Sequence, residues 1–256
     1  MAEQSQAYLQ TVINTCLQAG KIMIAGGSEM YRVEDTMLRI AKNAGLEDTR
    51  VFATPTGVFV SLNGGDISQL KQVRNRDINL ELVARVNDLS RQFAAGQIDL
   101  YQLADRLNVV AIVTPSFSLP VQVLGAAIVS ATLMVLFTGQ YDWYDFPEAA
   151  GIGALGWLLY YGIKKLSKIR FLSEMLAAVF MGALAIGLAQ IFTVLKPDNI
   201  LIGALMTLVP GVALVNALRD LFSGDLLSGI ARGVEAALTA GALGGGVGLI
   251  MKFFGG

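Results

Sequence analysis

The 256-residue sequence contains no histidine. That excludes Ser-His-Asp triads, histidine metal sites and histidine proton relays together. A single cysteine, Cys16, leaves no internal disulfide and fits a reducing compartment. Flanked by Ile13 and Leu17 on an apolar helical face, it reads as core packing. Charge is also scarce: 15% of residues are charged, where soluble chains carry about 25%. With a net charge of −1 and no basic tract, nucleic acid is not an expected partner. The opening "MAEQSQAYLQ" is polar and acidic, so no cleaved signal peptide is expected.

What is present is apolar: 54% hydrophobic residues and a mean hydropathy of +0.57. The charges are unevenly spread. Residues 1–118 hold 11 of the 19 Lys/Arg and 12 of the 20 Asp/Glu, leaving 8 of each sign for the remaining 138 residues. The first part reads as a soluble domain and the second as membrane-embedded.

In the first part, "AYLQTVINTCLQAGKIMIAGG" has helical apolar spacing and ends at Gly26-Gly27. A second helix follows through "SEMYRVEDTMLRIAKNAG", with Ser28 expected as N-cap and Gly45 at the C-terminal end. "RVFATPTGVFVSLNGGD" reads as two strands around Pro55-Thr56-Gly57, then a turn at Asn63-Gly64-Gly65. Two further helices complete it, the second capped by Asp99.

After Pro115 five segments approach the length of about 20 apolar residues that a bilayer requires. They are Leu119–Thr138, Glu148–Ile163, Leu172–Leu195, Ile200–Leu218 and Leu226–Phe254. The fold class expected is therefore an α-helical membrane bundle of about five transmembrane helices preceded by a cytoplasmic α+β domain, divided as 1–115 and 116–256. "KKLSKIR", Lys164–Arg170, places four basic residues between the second and third segments and marks that loop as cytoplasmic. "QYDWYDFPE" lacks Lys and Arg and carries Tyr141, Trp143 and Tyr144, suited to an interfacial belt on the opposite side. This puts the N-terminal domain inside and the C-terminus outside, with Lys196 as the one exception to the charge pattern.

"GIGALG", Gly151–Gly156, matches a dinucleotide fingerprint but follows no strand and continues into "WLLYYGI". It reads as close helix packing, as do "GIARG" and "GALGGGVG". No cofactor and no metal site is expected.

The polar residues near the membrane carry more information, because a charge at a helix centre costs about 2.5–3.5 kcal/mol on insertion scales. Glu174 lies near the start of the third segment. Asn216, Arg219 and Asp220 share a face at i, i+3, i+4 spacing, and Arg232 and Glu235 sit at the start of the fifth. The short turn containing Asp225 would bring those two faces together. Wet loop residues, or ion pairs that only hold a bundle together, are the plainer readings. Pro210-Gly211 interrupts the fourth segment. Proline frees carbonyls that lipid cannot satisfy, which is tolerated where a helix lines a cavity, although a simple kink is the alternative. In the first domain Glu29, Arg32, Glu34, Asp35 and Thr54-Pro55-Thr56 stand out. Glu34 and Asp35 are adjacent on a helix and do not converge on one point, so structural or docking roles are the expectation.

"GGSEMYRVEDTMLRIAKNAGL", "ATPTGVFVSL" and "LVPGVALVNALRDLFSGDLLSGIARGVEAAL" resemble the signature blocks of the bacterial threonine/serine exporter family, in that family's order. The resemblance implies a cytoplasmic N-terminal domain, membrane helices, and export of small amino acids or, in some relatives, dicarboxylates such as succinate. It also implies proton coupling. Long single-chain members have about ten spans, so this chain is similar to the larger subunit of a split, two-component form. A small membrane protein would supply the remaining helices, and a homo-oligomer is a further possibility. The positions that match the family's motif are Pro210, Gly211, Asn216, Arg219, Asp220, Asp225 and Arg232. Two other readings stand beside it: a membrane-anchored enzyme with its chemistry in residues 1–110, and a regulatory subunit whose cytoplasmic domain senses a ligand.

Overall fold

A computed structural model describes residues 2–62, 67–113, 116–167, 169 and 171–254. The expected Asn63-Gly64-Gly65 turn, Pro115, and Lys168 and Arg170 of the basic loop lie outside the described residues. The chain gathers into two compact units, Met1–Ser116 with Val212–Val234, and Phe117–Gly211 with Glu235–Gly256.

The first unit opens with α1 (Ala2–Ala25) and α2 (Met30–Asn43). Val12, Ile13 and Cys16 of α1, and Val33, Met37 and Ile40 of α2, recur at helical spacing and are fully buried. They meet an antiparallel sheet of β1 (Thr49–Thr54), β2 (Gly57–Leu62) and β3 (Ile67–Gln72), ordered β1-β2-β3. Alternation puts Val58, Val60 and Leu62 of β2 into the same core. Thr54 pairs with Gly57, so Pro55-Thr56 is a two-residue hairpin loop, as the sequence suggested. Helices α3 (Leu80–Ala94) and α4 (Leu100–Ile112) close the core. Asp99 caps α4 through a reciprocal bond with Gln102, in agreement with the sequence reading.

The second unit contains α5 (Leu119–Thr138), α6 (Asp145–Leu166), α7 (Leu172–Ile191) and α8 (Pro197–Leu205). Small residues set its packing. A Cβ on Gly153 of α6 would overlap Ser130 of α5, and one on Gly156 would overlap Met181 of α7. The GxGxxG-like run is thus a contact surface between helices. Gly203 of α8 lies against the Ser130 carbonyl and Met134, both in α5. Because backbone cannot yield there, Gly203→Leu should destabilise this unit by about 1–3 kcal/mol or more. Gly125→Leu, with nothing within 4 Å of its added Cβ, should be near neutral. Thermal unfolding of the two variants in detergent micelles checks the contrast.

Two helices remain: α9 (Gly211–Phe222) and α10 (Leu226–Phe254). Residues 212–222 and 226–234 pack in the first unit, and the rest of α10 belongs to the second. Among the described residues three helices are long and apolar enough to cross a membrane: Leu119–Thr138, Leu172–Ile191 and Leu226–Phe254. The expected fourth span, Ile200–Leu218, is instead two short helices. Nine-residue α8 extends only about 14 Å at 1.5 Å per residue.

Candidate functional site

Helix α1 ends at Gly26-Gly27, where Gly27 takes a left-handed φ of 87°. A side chain would be strained there. Helix α2 starts three residues later, and its first N–H groups have no partner within the helix. Its N-cap is Glu29 rather than the expected Ser28, and the Glu29 side chain makes no cap bond. The oxygen comes from elsewhere. Asp220 of α9 accepts the Met30 N–H through Oδ1 at 2.9 Å. A carboxylate at a helix N-terminus is favoured by both the open donor and the helix dipole.

The rest of the same turn is held from the same side. Asn216 Nδ2 donates to the Gly27 carbonyl at 2.8 Å. Arg232 Nη2 donates to the Ser28 carbonyl at 2.5 Å, while its Nη1 lies 3.4 Å from Asp220 Oδ2. Arg219 Nη1 meets Glu29 Oε1 at 2.6 Å, and Arg32 Nη1 meets Glu29 Oε2 at 3.3 Å. The spacing of Asn216, Arg219 and Asp220 gives α9 one polar face toward this turn. Gly224, with φ 91°, reverses the chain. Gly229, whose added Cβ would meet the Ala217 carbonyl at 2.9 Å, lets α10 approach α9 closely enough to deliver Arg232. Two of the stretches singled out in the sequence, "GGSEM" and "NALRDLFSGDLLSGIAR", thus form one site.

The third stretch joins it through Glu34, whose Oε1 accepts the Ala53 N–H at 2.8 Å beside the hairpin loop. Thr54 Oγ1 donates to the Gly57 carbonyl at 3.1 Å, and the Thr56 carbonyl accepts the Val73 N–H at 2.8 Å. Those two residues therefore shape the hairpin, with Pro55 buried between them. Asp35 is exposed and pairs with Arg39 at 2.8 Å.

The site is largely buried and its carboxylates divide into two kinds. Asp220 is fully buried, and Ser28, Glu29, Asn216 and Arg232 are nearly so. Burial pushes the Asp220 carboxyl above its ordinary value; the Met30 N–H and Arg232 oppose this, while Asp225 and Glu29 add to it. Burial likewise raises Asp225. It also raises Glu34, against the Ala53 N–H and with help from Asp225. Glu29 goes the other way. Burial raises it, but its own N–H, the Arg219 bond and the charges of Arg32 and Arg219 outweigh that and leave it low. Burial thus favours the protonated form of Asp220, Asp225 and Glu34, whereas the cations and the backbone donor favour the ionised form of Glu29.

Pro210 and Gly211 mark the break between α8 and α9, with the Gly211 N–H turned back to the Val209 carbonyl at 2.8 Å. Proline needs no donor partner, so the chain can restart as a helix immediately after it. Glu174 and Glu235 belong to the second unit. Glu174 Oε2 accepts from the Ser173 hydroxyl at 2.8 Å in the first turn of α7. The Glu235 carbonyl accepts from Thr239 Oγ1 at 3.0 Å.

Sequence reasoning missed Asp145. It is fully buried and accepts the Lys196 N–H at 2.9 Å and Asn199 Nδ2 at 3.1 Å, capping α8 from α6. The available signal was the Lys196-Pro197 helix start, which has no capping side chain of its own. Lys196, the exception in the charge pattern, pairs with Asp142 at 3.1 Å. Among the described residues no cluster suited to a metal ion is present.

Residues 14–254 match the family model described as putative threonine/serine exporter. Over 247 residues the chain is 24% identical to the threonine/serine exporter of Corynebacterium glutamicum, covering 93% of this chain and 50% of that protein. The chain thus spans about half the length of the curated relative it matches. No solved structure matches it.

Proposed function

This chain belongs to the putative threonine/serine exporter family, and on that premise we propose that it is a subunit of an inner-membrane secondary exporter. Its substrate class is small polar metabolites, threonine and serine or a dicarboxylate such as succinate, moved outward at the expense of a proton gradient. One observation carries the reading. A buried carboxylate–guanidinium pair, Asp220 with Arg232, sits on the N-terminus of α2, and its carboxylate is carried by a helix that restarts in sequence after Pro210. Buried ionisable groups beside interrupted helices are what a transporter needs to bind ions and charged substrates in turn.

In this reading Asp220 exchanges the proton. Protonated, it loses its attraction for Arg232, and the guanidinium becomes available to a substrate carboxylate. Arg219, Glu29 and Asn216 keep the α1–α2 turn in register while this happens. Pro210, Gly211, Asp225, Glu174 and Glu235 are further candidates for the path. A second membrane protein supplying additional helices belongs to this reading through the resemblance to the split, two-component form. Export of labelled threonine, serine and succinate from proteoliposomes, with and without a small membrane partner, tests the proposal. No flux in any arm would sink it, and full flux from this chain alone would remove the partner.

The orientation belongs to the proposal as well: several membrane passes, N-terminal unit cytoplasmic, and the loop around Asp142 outside. The Lys196–Asp142 pair supports placing both ends of that contact on one side. Asp142→Cys should react with an impermeant maleimide from outside only. The native Cys16 will stay silent, since it is fully buried and its thiol is pushed up to about 12. Labelling of position 142 from the cytoplasm alone would reverse the scheme.

A further inference from the structure

Away from the α1–α2 turn, the first unit has a polar cleft of about 190 Å³ between α2 and α3. Its walls follow from helical spacing. Arg32, Asp35 and Arg39 stand at i, i+3, i+7 on α2, and Asn87, Ser90 and Arg91 at i, i+3, i+4 on α3. The Ser90 side chain is the unusual member. The residue is 3% exposed, and its hydroxyl has no hydrogen-bond partner among the described residues. A buried hydroxyl without a partner is costly. Its neighbour Thr36 is satisfied, donating to Asn87 Oδ1 at 3.2 Å, so what Asn87 can offer a ligand is its Nδ2 donors.

The charges on the walls are three guanidiniums and one carboxylate. Each arginine is held by an acid: Arg39 by Asp35 at 2.8 Å, Arg32 by Glu29 at 3.3 Å, Arg91 by Asp88 at 3.8 Å. A guanidinium has five donors, the exposed Arg39–Asp35 and Arg91–Asp88 pairs hold weakly, and Arg32 has donors beyond its bond to the nearly buried Glu29, so a ligand carboxylate can engage the arginines. Asp35, once exchanged from Arg39, suits an ammonium group. The volume lies below the roughly 300 Å³ at which drug-sized sites begin. Carboxylate, ammonium and hydroxyl recognition in so small a space match a short polar α-amino acid.

We propose that this cleft binds a free α-amino acid, at a site separate from the Asp220–Arg232 pair. The identity of the ligand rests on the export reading given above: the cleft senses the same class of molecule that is moved. Arg32 provides the link, because it both lines the cleft and holds Glu29, whose other oxygen is held by Arg219. A carboxylate that draws Arg32 into the cleft loosens one of the two cations on Glu29.

The test is calorimetric titration of the full-length chain in detergent micelles with L-threonine, L-serine, succinate and inorganic phosphate. Threonine and serine should bind, with succinate and phosphate at least about ten-fold weaker for want of a partner for Asp35. Arg91→Gln should weaken threonine binding by about ten-fold, the loss of one charge-assisted bond. Ser90→Ala removes a buried hydroxyl without a partner among the described residues, so it keeps the fold and should also weaken binding. Absence of threonine binding overturns the inference, as does binding that both variants leave unchanged. Phosphate binding as tightly as threonine overturns it too, making the cleft a simple anion site. Flux in proteoliposomes without cleft binding would refute this inference and leave the export reading standing. Cleft binding that Arg91→Gln weakens, with no flux in any arm, would do the reverse.

Discussion

Asp220→Asn should reduce export by about 100-fold, equivalent to about 2.7 kcal/mol, while the chain still inserts and folds. Asparagine retains an oxygen able to accept the Met30 N–H, so the cap on α2 survives. What disappears is the exchangeable proton and the charge facing Arg232. Neutralising a residue lowers rather than raises the cost of membrane insertion, so lost activity cannot be assigned to failed insertion. Stranding Arg232 is the remaining confound, since removing one member of a buried pair leaves the other uncompensated. Arg232→Gln and the double variant resolve it. A structural pair is largely restored when both members are neutral, whereas a proton carrier and a substrate-binding cation leave the double variant inactive. Near-normal flux in Asp220→Asn at normal expression would end the assignment.

The pH dependence has a definite sign. Because burial raises the Asp220 carboxyl above 3.8, the folded chain holds that proton more tightly than the unfolded chain. Its contribution to stability is complete below the unfolded value and is lost as pH rises through the folded one. Relative to Asp220→Asn, the wild-type chain should therefore gain stability as pH falls toward 4. Unfolding curves for the two proteins that stay parallel across that range would show that Asp220 does not titrate there.

The second large effect is on the fold alone. Asp145→Ala should cost about 2–5 kcal/mol, because it leaves two donors of the α8 start, the Lys196 N–H and Asn199 Nδ2, without the buried acceptor they share. Asp145→Asn keeps one accepting oxygen and should cost roughly half as much. Asp142→Ala breaks the ion pair with the exposed Lys196 side chain, worth about 0–1 kcal/mol, and a solvent-exposed bond from the Tyr144 N–H, so it should cost less than Asp145→Ala. Unfolding in micelles, followed through Trp143 and Trp157, ranks the three. Equal midpoints for Asp145→Ala and Asp142→Ala would contradict the capping role.

Local physics was legible in the residues. Apolar spacing located α1 and α2, Pro55-Thr56 the hairpin, Asp99 the cap of α4, and Pro210 the interruption before α9. The polar face of Asn216, Arg219 and Asp220 was also readable, since i, i+3, i+4 spacing needs no tertiary knowledge. Its target was not. Nothing near Ser28 in sequence indicates that the oxygen for the Met30 N–H comes from residue 220, and local capping rules instead favoured Ser28 itself. Asp145 escaped for the same reason. Beside an aromatic run it reads as a loop acid, and its partners lie at residues 196 and 199. The apolar run Ile200–Leu218 has the composition of a span, and composition does not register where a helix stops and restarts.

The contacts that hold the α1–α2 turn join residues 189 to 204 positions apart. Ribosomes add about 5–20 residues per second, so some 10–40 seconds separate synthesis of Met30 from that of Asp220. During that interval α2 has no capping side chain, and the carbonyls of Gly27 and Ser28 must be solvated by water. The nascent N-terminal unit can build its hydrophobic core but not finish this turn. A stalled chain released before residue 216 should therefore expose the turn to proteases that cannot cut it in the completed protein.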